Sequence, residues 1–237
     1  MIKCPVCFAE NNDFATVCVK CKAFLQDRIP NINLFETAWR VIESPQTAFR
    51  QIVLAEHKNF SLFLFTFFGI SVAFTAFWFF KLGNRFFSLL DVLQWAFISG
   101  VAIGLASALF LTIVYYIAAR ALGGRAGIRD SMGLLAYALV PIVISLFLVL
   151  PIELLTFGMY LFTSNPSPYS IKPLSFILLA GFDALVGIWT LILSVVATRV
   201  GHRLSTAKSL AVIALTLLLF AGGLLVAANQ FHLLSSP

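Results

Sequence analysis

Residues 60–80 read FSLFLFTFFGISVAFTAFWFF, an apolar run without a single charge. A transmembrane helix needs about 20 mainly apolar residues, so this stretch predicts a membrane span. Four further stretches qualify, namely 92–119, 133–162, 174–198 and 208–228. Only 11% of the 237 residues are charged and 60% are hydrophobic, whereas a soluble domain carries about 25% charged residues. The sequence therefore predicts an all-α polytopic membrane protein with a five-helix bundle, and it excludes an ordinary soluble enzyme.

The distribution of basic residues predicts the orientation. Thirteen of the 16 Lys and Arg residues lie in the segment before the first span, in the loop between spans two and three, or in the loop between spans four and five with its flanks. The other three, Lys81, Arg85 and Lys172, lie in the remaining loops. Because cytoplasmic loops carry the excess of basic residues, we expect a cytoplasmic amino terminus and an external carboxyl terminus. The chain opens with a mixed, polar segment that does not resemble a signal peptide. A multi-pass protein of the cytoplasmic (inner) membrane is expected.

All four cysteines lie in the first 21 residues, as two C-x2-C pairs ten residues apart: Cys4, Cys7, Cys18 and Cys21. The spacer lets the two pairs face each other around one tetrahedral ion. Four thiolates leave no open coordination position, so the pattern predicts structural zinc rather than a catalytic metal. Fewer than 30 residues cannot bury a sufficient core, so metal binding is expected to supply about 10 kcal/mol or more of folding free energy.

Iron, two disulfides and a redox C-x-x-C motif are the alternatives. Disulfides require an oxidising compartment, against the predicted topology, and two redox motifs this close do not fit the usual strand–helix setting. The cysteines resemble the short zinc ribbons, CPxCG…CxxCG, at the ends of many prokaryotic proteins. Those ribbons have glycine after each pair, whereas Phe8 and Lys22 stand there in this chain, so tighter or strained turns are expected.

The surface charge of this region is mixed, which bears on its partners. The charged residues are Lys3, Lys20, Lys22, Glu10, Asp13 and Asp27. Acids that offset the lysines favour a solvated surface over a phosphate-binding stripe. No nucleic-acid partner is expected, and the ribbon is interpreted as a docking module for a protein.

Residues 34–56 have apolar side chains at helical spacing on both sides of Ser44-Pro45. We expect two short helices, the second capped by Ser44 with Pro45 at its first position. Trp39 and Phe49, each followed by Arg, suit a helix in the headgroup region, and packing against the bundle is the alternative. The predicted division is a ribbon at 1–26, a linker with interfacial helices at 27–58, the five-span domain at 59–228 and a short external tail at 229–237.

The order of these parts resembles the Yip1-domain membrane proteins, in the prokaryotic form with an added zinc ribbon. The residues that carry the resemblance are TAWRVIESPQTAFRQI at 37–52 and LLAYALVPIVISL at 134–146, and it covers roughly residues 34–228. It implies a five-helix bundle with a cytosolic amino terminus. Eukaryotic relatives are linked to vesicle traffic, Rab GTPase binding and membrane shaping, whereas prokaryotic relatives have no settled role.

Small residues and prolines mark packing positions inside the spans. Gly100, Gly104 and Ala108 recur at four-residue spacing, which lets another helix approach closely; packing within the bundle and a contact in a homo-oligomer are the two uses considered. Pro141 and Pro151 interrupt the third span and predict a kink, or a broken helix that lines a cavity.

Two acidic residues are predicted within the membrane, Asp183 near mid-bilayer and Glu153 near the external end of span three. A charge at mid-bilayer costs at least about 2.5–3.5 kcal/mol, so Asp183 is expected to be protonated or hydrogen-bonded to groups such as Ser145, Thr190 or a tyrosine. A structural polar clamp and a functional residue are both consistent with this placement.

Three functional hypotheses follow. The first is a non-enzymatic membrane adaptor or organiser that uses the zinc ribbon to bind a protein partner. The second is a small transporter or permeation component that uses Asp183, Glu153 and the kinked third span. An intramembrane enzyme ranks last, because the sequence has no catalytic motif and His57, His202 and His232 are expected only at membrane edges.

Overall fold

The computed structural model describes residues 2–12, 14–26 and 29–230. The ribbon opens with an antiparallel pair, β1 (Ile2–Lys3) and β2 (Glu10–Asn11). A single bridge between Val17 and Phe24 follows. A folded unit this short has little core of its own.

Two short helices follow, α1 (Leu34–Glu43) and α2 (Pro45–Leu54), with the predicted break at Ser44. Ser44 precedes Pro45 as expected, but its side chain makes no cap hydrogen bond; the hydroxyl lies 3.5 Å from the Arg40 carbonyl instead. The parallel pair β3 (Ile29–Asn31) and β4 (Ala55–His57) closes this segment.

The structure distinguishes the two placements considered for this segment. Phe49 and Ile52 of α2 are fully buried in the main core, because α2 packs against the helices Ile128–Ala138 and Pro173–His202. Trp39 and Phe35 of α1 point outward and are exposed. The segment therefore packs on the bundle through α2, and only α1 presents aromatic side chains to the surroundings.

Five helical stretches are long and apolar enough to cross a membrane: Ser61–Phe79, Leu89–Ala121, Ile128–Phe162, Pro173–His202 and Thr206–Val226. They correspond to α3 (Ser61–Phe79), α4 (Leu89–Ala121), α5 (Ile128–Ala138) with α6 (Val140–Phe157), α8 (Pro173–His202) and α9 (Thr206–Gln230). Short 3₁₀ turns lie at Leu82–Arg85 and Gly158–Phe162, and the short helix α7 is Pro168–Ile171. The all-α five-span architecture is confirmed.

The third span is broken where its first proline requires it. Helix α5 ends at Ala138 and α6 begins at Val140, with Pro141 in its first turn. Proline has no N–H and its ring clashes with the carbonyl four residues before it, so one continuous helix through this point is disfavoured. Pro151 remains inside α6. Helix α5 is short, and most of its residues are buried in the main core. The break at its end therefore lies within that core.

The last two helices pack unevenly. The carboxyl-terminal half of α8 packs into the core, whereas the half that contains Leu178 and Leu185 leaves most side chains exposed. Gly222 and Gly223 in α9 also have open space around them. Of the predicted external tail, 229–237, residues 231–237 lie outside the described residues, as does His232.

Candidate metal centre

The two cysteine pairs have the same local backbone fold. In the first, the N–H of Phe8 donates to the Cys4 carbonyl over 3.0 Å, and the N–H of Val6 donates to Cys4 Sγ over 3.4 Å. The corresponding bonds of the second pair are Lys22 N–H to the Cys18 carbonyl (3.1 Å) and Lys20 N–H to Cys18 Sγ (3.4 Å). The chain thus forms two equivalent knuckles.

Each knuckle turns through a left-handed residue, and these residues stand where the related ribbons have glycine. Phe8 has a φ of 55° and Lys22 a φ of 61°. An L-residue in this region brings its Cβ close to the next carbonyl oxygen, so both turns are strained, as the sequence predicted.

The four sulfur atoms lie together as one cluster. Cys4 Sγ lies 3.5 Å from Cys21 Sγ, and Cys7 Sγ lies 3.5 Å from Cys18 Sγ; all four are within 4.8 Å of one another. A Zn–S bond of about 2.3 Å in a tetrahedron gives S···S separations of about 3.8 Å. The four free cysteines therefore fit a tetrahedral ion and could hold one.

The Asn11 side chain contacts both the cysteine cluster and the backbone around it. Its side-chain nitrogen lies 3.6 Å from Cys18 Sγ and donates to the Ala9 carbonyl over 2.8 Å, while its oxygen accepts from the Val19 N–H over 2.9 Å. Backbone N–H groups, chiefly that of Cys21, and the Asn11 amide lower the pKa of Cys18 to about 6. These contacts favour the thiolate form of Cys18, which is the form that binds metal.

Among the described residues, Arg203 joins the ribbon to the bundle. The guanidinium of Arg203, at the turn between α8 and α9, lies 4.6 Å from the centre of the Phe14 ring and donates to Asn12 Oδ1. Arg203 itself has a left-handed backbone, with a φ of 57°. The predicted linker at 27–58 thus does not keep the ribbon away from the bundle, because Arg203 and Asn12, 191 positions apart, are in contact.

Three apolar side chains of the knuckles, which we call the knuckle-tip residues, are exposed: Val6, Phe8 and Val19 are 67%, 76% and 70% exposed. Each adjoins a cysteine of the cluster in sequence. The lysines at 3, 20 and 22 and Glu10 are exposed as well, while Asp13 and Asp27 lie outside the described residues. The ribbon surface therefore combines apolar tips with scattered charge.

The predicted small-residue stripe lies against α3. A Cβ added to Gly100 would come within 2.5 Å of Ile70 Cα, and one added to Gly104 within 2.6 Å of the Phe65 carbonyl oxygen. Ala108, one turn further, is buried. Helices α3 and α4 thus approach backbone to backbone along this stripe, within one chain.

The two intramembrane acids lie next to each other. Ser145 on α6 donates to Asp183 Oδ1 on α8 over 2.9 Å, and Glu153 on α6 is close enough to Asp183 for the two carboxyl groups to interact electrostatically. Thr190, considered as a partner for Asp183, donates instead to the Val186 carbonyl over 2.9 Å. Helices α6 and α8 thus place two carboxyl groups near each other within the candidate spans.

Helix α8 carries a buried polar stripe that the sequence analysis missed, although four-residue spacing reveals it: Thr190, Ser194, Thr198 and His202. Thr198 Oγ1 lies 3.0 Å from the Tyr115 hydroxyl, and His202 Nε2 lies 3.1 Å from Ser131 Oγ. His202 is completely buried. His202 is the last residue of α8, and its ring packs inside the bundle against Tyr115 and Ser131 rather than on the surface; His57 is exposed.

These features define a polytopic all-α membrane protein with five spans and an amino-terminal four-cysteine centre. A family model for the Yip1 domain matches residues 39–228, and the chain belongs to this family. The resemblance described from residues 37–52 and 134–146 is thereby confirmed. Comparison with curated proteins and with solved structures gives no significant match.

Proposed function

We propose that this protein is a non-enzymatic membrane adaptor whose ribbon holds structural zinc and binds a protein partner. The zinc assignment rests on a cluster of four cysteine sulfurs, with no other ligand type in it among the residues that the structure describes, a donor set typical of structural zinc. Iron remains the competing metal, since tetrahedral sulfur sites also suit it.

The observation that carries the docking role is the exposure of the knuckle-tip residues. A unit of about 26 residues has few apolar side chains, and it leaves three of them in contact with solvent around the metal centre. Exposed apolar groups that a polar surface surrounds mark interaction sites. The Arg203 contact holds the ribbon at one end of the bundle while these tips remain uncovered.

The proposed setting is the cytoplasmic (inner) membrane with the ribbon in the cytoplasm. The excess of basic residues on the amino-terminal side supports this orientation. A reducing compartment also favours free thiolates over disulfides, in agreement with four free cysteines.

The experiment that tests docking compares two matched double variants of the full-length protein. Val6→Ser with Val19→Ser removes two apolar tips, and Lys3→Ser with Lys20→Ser removes two exposed cations from the same ribbon. After cross-linking in cells and purification, proteins captured by the wild type are quantified. We expect the apolar pair to lose the captured protein and the lysine pair to keep it, with zinc content unchanged in both.

Capture that survives loss of the tips would contradict the proposal. Loss in the lysine pair alone would assign binding to charge and revive a nucleic-acid or acidic partner. The lipid alternative is tested with a water-soluble reporter fused to the ribbon. If the apolar pair lowers the membrane association of this reporter but leaves the captured proteins unchanged, the tips contact lipid instead of a protein.

A small transporter is the second candidate, and the proximity of Asp183 and Glu153 favours it. Two neighbouring carboxyl groups on two helices suit a proton carrier, and the polar stripe that ends at His202 lies on the same helix as Asp183. Proton or cation flux in proteoliposomes that survives deletion of residues 1–26 and disappears in Asp183→Asn would place this function first. Absence of flux in the wild type removes its support.

A further inference from the structure

A cavity of about 360 Å³ opens beside the ribbon contact, where the ends of three spans meet. Its lining comes from the end of α4 and from the turn between α8 and α9, namely Leu122, Gly123, Arg125, Arg203, Leu204, Ser205 and Lys208. Of the seven lining residues that the structure describes, three are cations and none is an acid. The volume lies within the range of small-ligand sites.

Two of the cations are held at the cavity by contacts that leave their charges available. Lys208 Nζ donates to the Leu122 carbonyl over 3.1 Å, which uses one of its three N–H groups. The backbone N–H of Arg125 donates to the His202 carbonyl over 3.2 Å, so the loop is fixed while the Arg125 side chain remains exposed. Arg203, the third cation, is engaged by the ribbon.

The start of α9 adds a second source of positive potential. Ser205 precedes the first helical residue, Thr206; its hydroxyl accepts from the Lys208 N–H over 3.4 Å and its carbonyl from the Ser209 N–H over 2.9 Å. The N–H groups of the first turn have no intrahelical acceptor. A helix amino terminus of this length favours an anion, and here it opens onto the same cavity as the cations.

We propose that this cavity binds a phosphate group. Several N–H donors that converge from two cationic side chains and a helix terminus match the three or four oxygens of phosphate. The cavity lies at the ends of membrane-spanning helices and hence at headgroup depth, so the phosphate of an anionic lipid is the source that its position favours. A soluble phosphate ester is the other source.

The test measures lipid retention by native mass spectrometry of the full-length protein in neutral detergent. The protein is offered phosphatidylglycerol or phosphatidylcholine at equal concentration. We expect the wild type to retain phosphatidylglycerol preferentially, and Arg125→Gln with Lys208→Gln to lose roughly 30-fold in this preference, at about fivefold per cation. Arg50→Gln with Arg129→Gln removes two exposed cations that do not line the cavity, and it is expected to retain the wild-type preference.

Arg125→Gln alone is the variant least able to disturb the fold, because it removes none of the side-chain hydrogen bonds at the cavity. Its preference for phosphatidylglycerol is expected to fall about fivefold. Thermal stabilisation by inorganic phosphate or pyrophosphate forms the second arm. One outcome is that these ions stabilise the wild type but not the cavity variant, while the wild type shows no preference for phosphatidylglycerol. This outcome supports the phosphate site with a soluble source. Equal loss in the cavity and control variants, or no response of the wild type to lipid or phosphate, overturns the proposal.

Discussion

The left-handed residue at the second knuckle makes a quantitative prediction, because glycine should improve the metal centre there. Lys22 has a φ of 61° and an exposed side chain, so Lys22→Gly removes no packing. An L-residue in this region costs about 1–2 kcal/mol, and glycine costs about 0.5–1 kcal/mol in conformational entropy. The net gain is about 0.5–1 kcal/mol. Because metal binding and folding of such a small unit are coupled, the gain should appear as about two- to fivefold tighter zinc binding.

The assay is competition between the full-length protein in detergent and a chromophoric zinc chelator of known affinity. Lys20→Gly is the matched control, since Lys20 belongs to the same knuckle, is also exposed and is not among the left-handed residues. Glycine at 20 should weaken zinc binding by about 0.5–1 kcal/mol. If both variants weaken binding equally, the strain argument is wrong and the knuckle tolerates Lys22 without cost.

Four further outcomes are expected. Cys21→Ser should release a metal that wild-type protein holds at one zinc ion per chain, and membrane insertion should persist; wild-type protein isolated without chelator and free of metal would contradict the assignment. A reporter fused after Pro237 should be active only outside the cytoplasm, and cytoplasmic activity would mean that the span count or the orientation is wrong. Gly104→Ala should lower thermal stability, because its Cβ would meet backbone atoms of α3 within 2.6 Å, whereas Gly222→Ala, with open space around it, should not; equal effects would refute the close packing. Asp183→Asn should leave stability nearly unchanged if Asp183 is a clamp, while Asp183→Leu should cost about 1 kcal/mol; normal stability of Asn with a lost cellular phenotype would favour the transporter.

Local patterns accounted for most of the architecture. Apolar runs predicted five spans, because a segment of 20 uncharged residues has few alternatives to a membrane helix. The break near Pro141 follows from the missing N–H and the ring clash. The cysteine spacing likewise brought four sulfurs together, since each C-x2-C pair forms its knuckle from adjacent residues.

What the sequence did not reveal depends on contacts between distant segments. The Arg203 contact with Asn12 and Phe14 has no local pattern, so an arginine in a basic loop was interpreted only through its charge. The proximity of Asp183 and Glu153 depends on how α6 and α8 align, which span composition does not determine. His202 looked like an edge residue because it ends a span, and its burial follows from the packing of α8 on α4 and α5.

The magnitudes of the contacts explain how a docked ribbon can still serve a partner. Zinc supplies on the order of 10 kcal/mol or more to the fold of the ribbon, whereas a cation–π contact contributes about 0.5–1 kcal/mol and a hydrogen bond to a charged group about 1.5–3 kcal/mol. The Arg203 contacts therefore orient the ribbon without being needed to fold it. Because the knuckle-tip residues are exposed while these contacts are in place, a partner can bind them with the ribbon docked and the metal centre intact. Arg203 also lines the cation-rich cavity, so one side chain lies at both the ribbon contact and the proposed phosphate site.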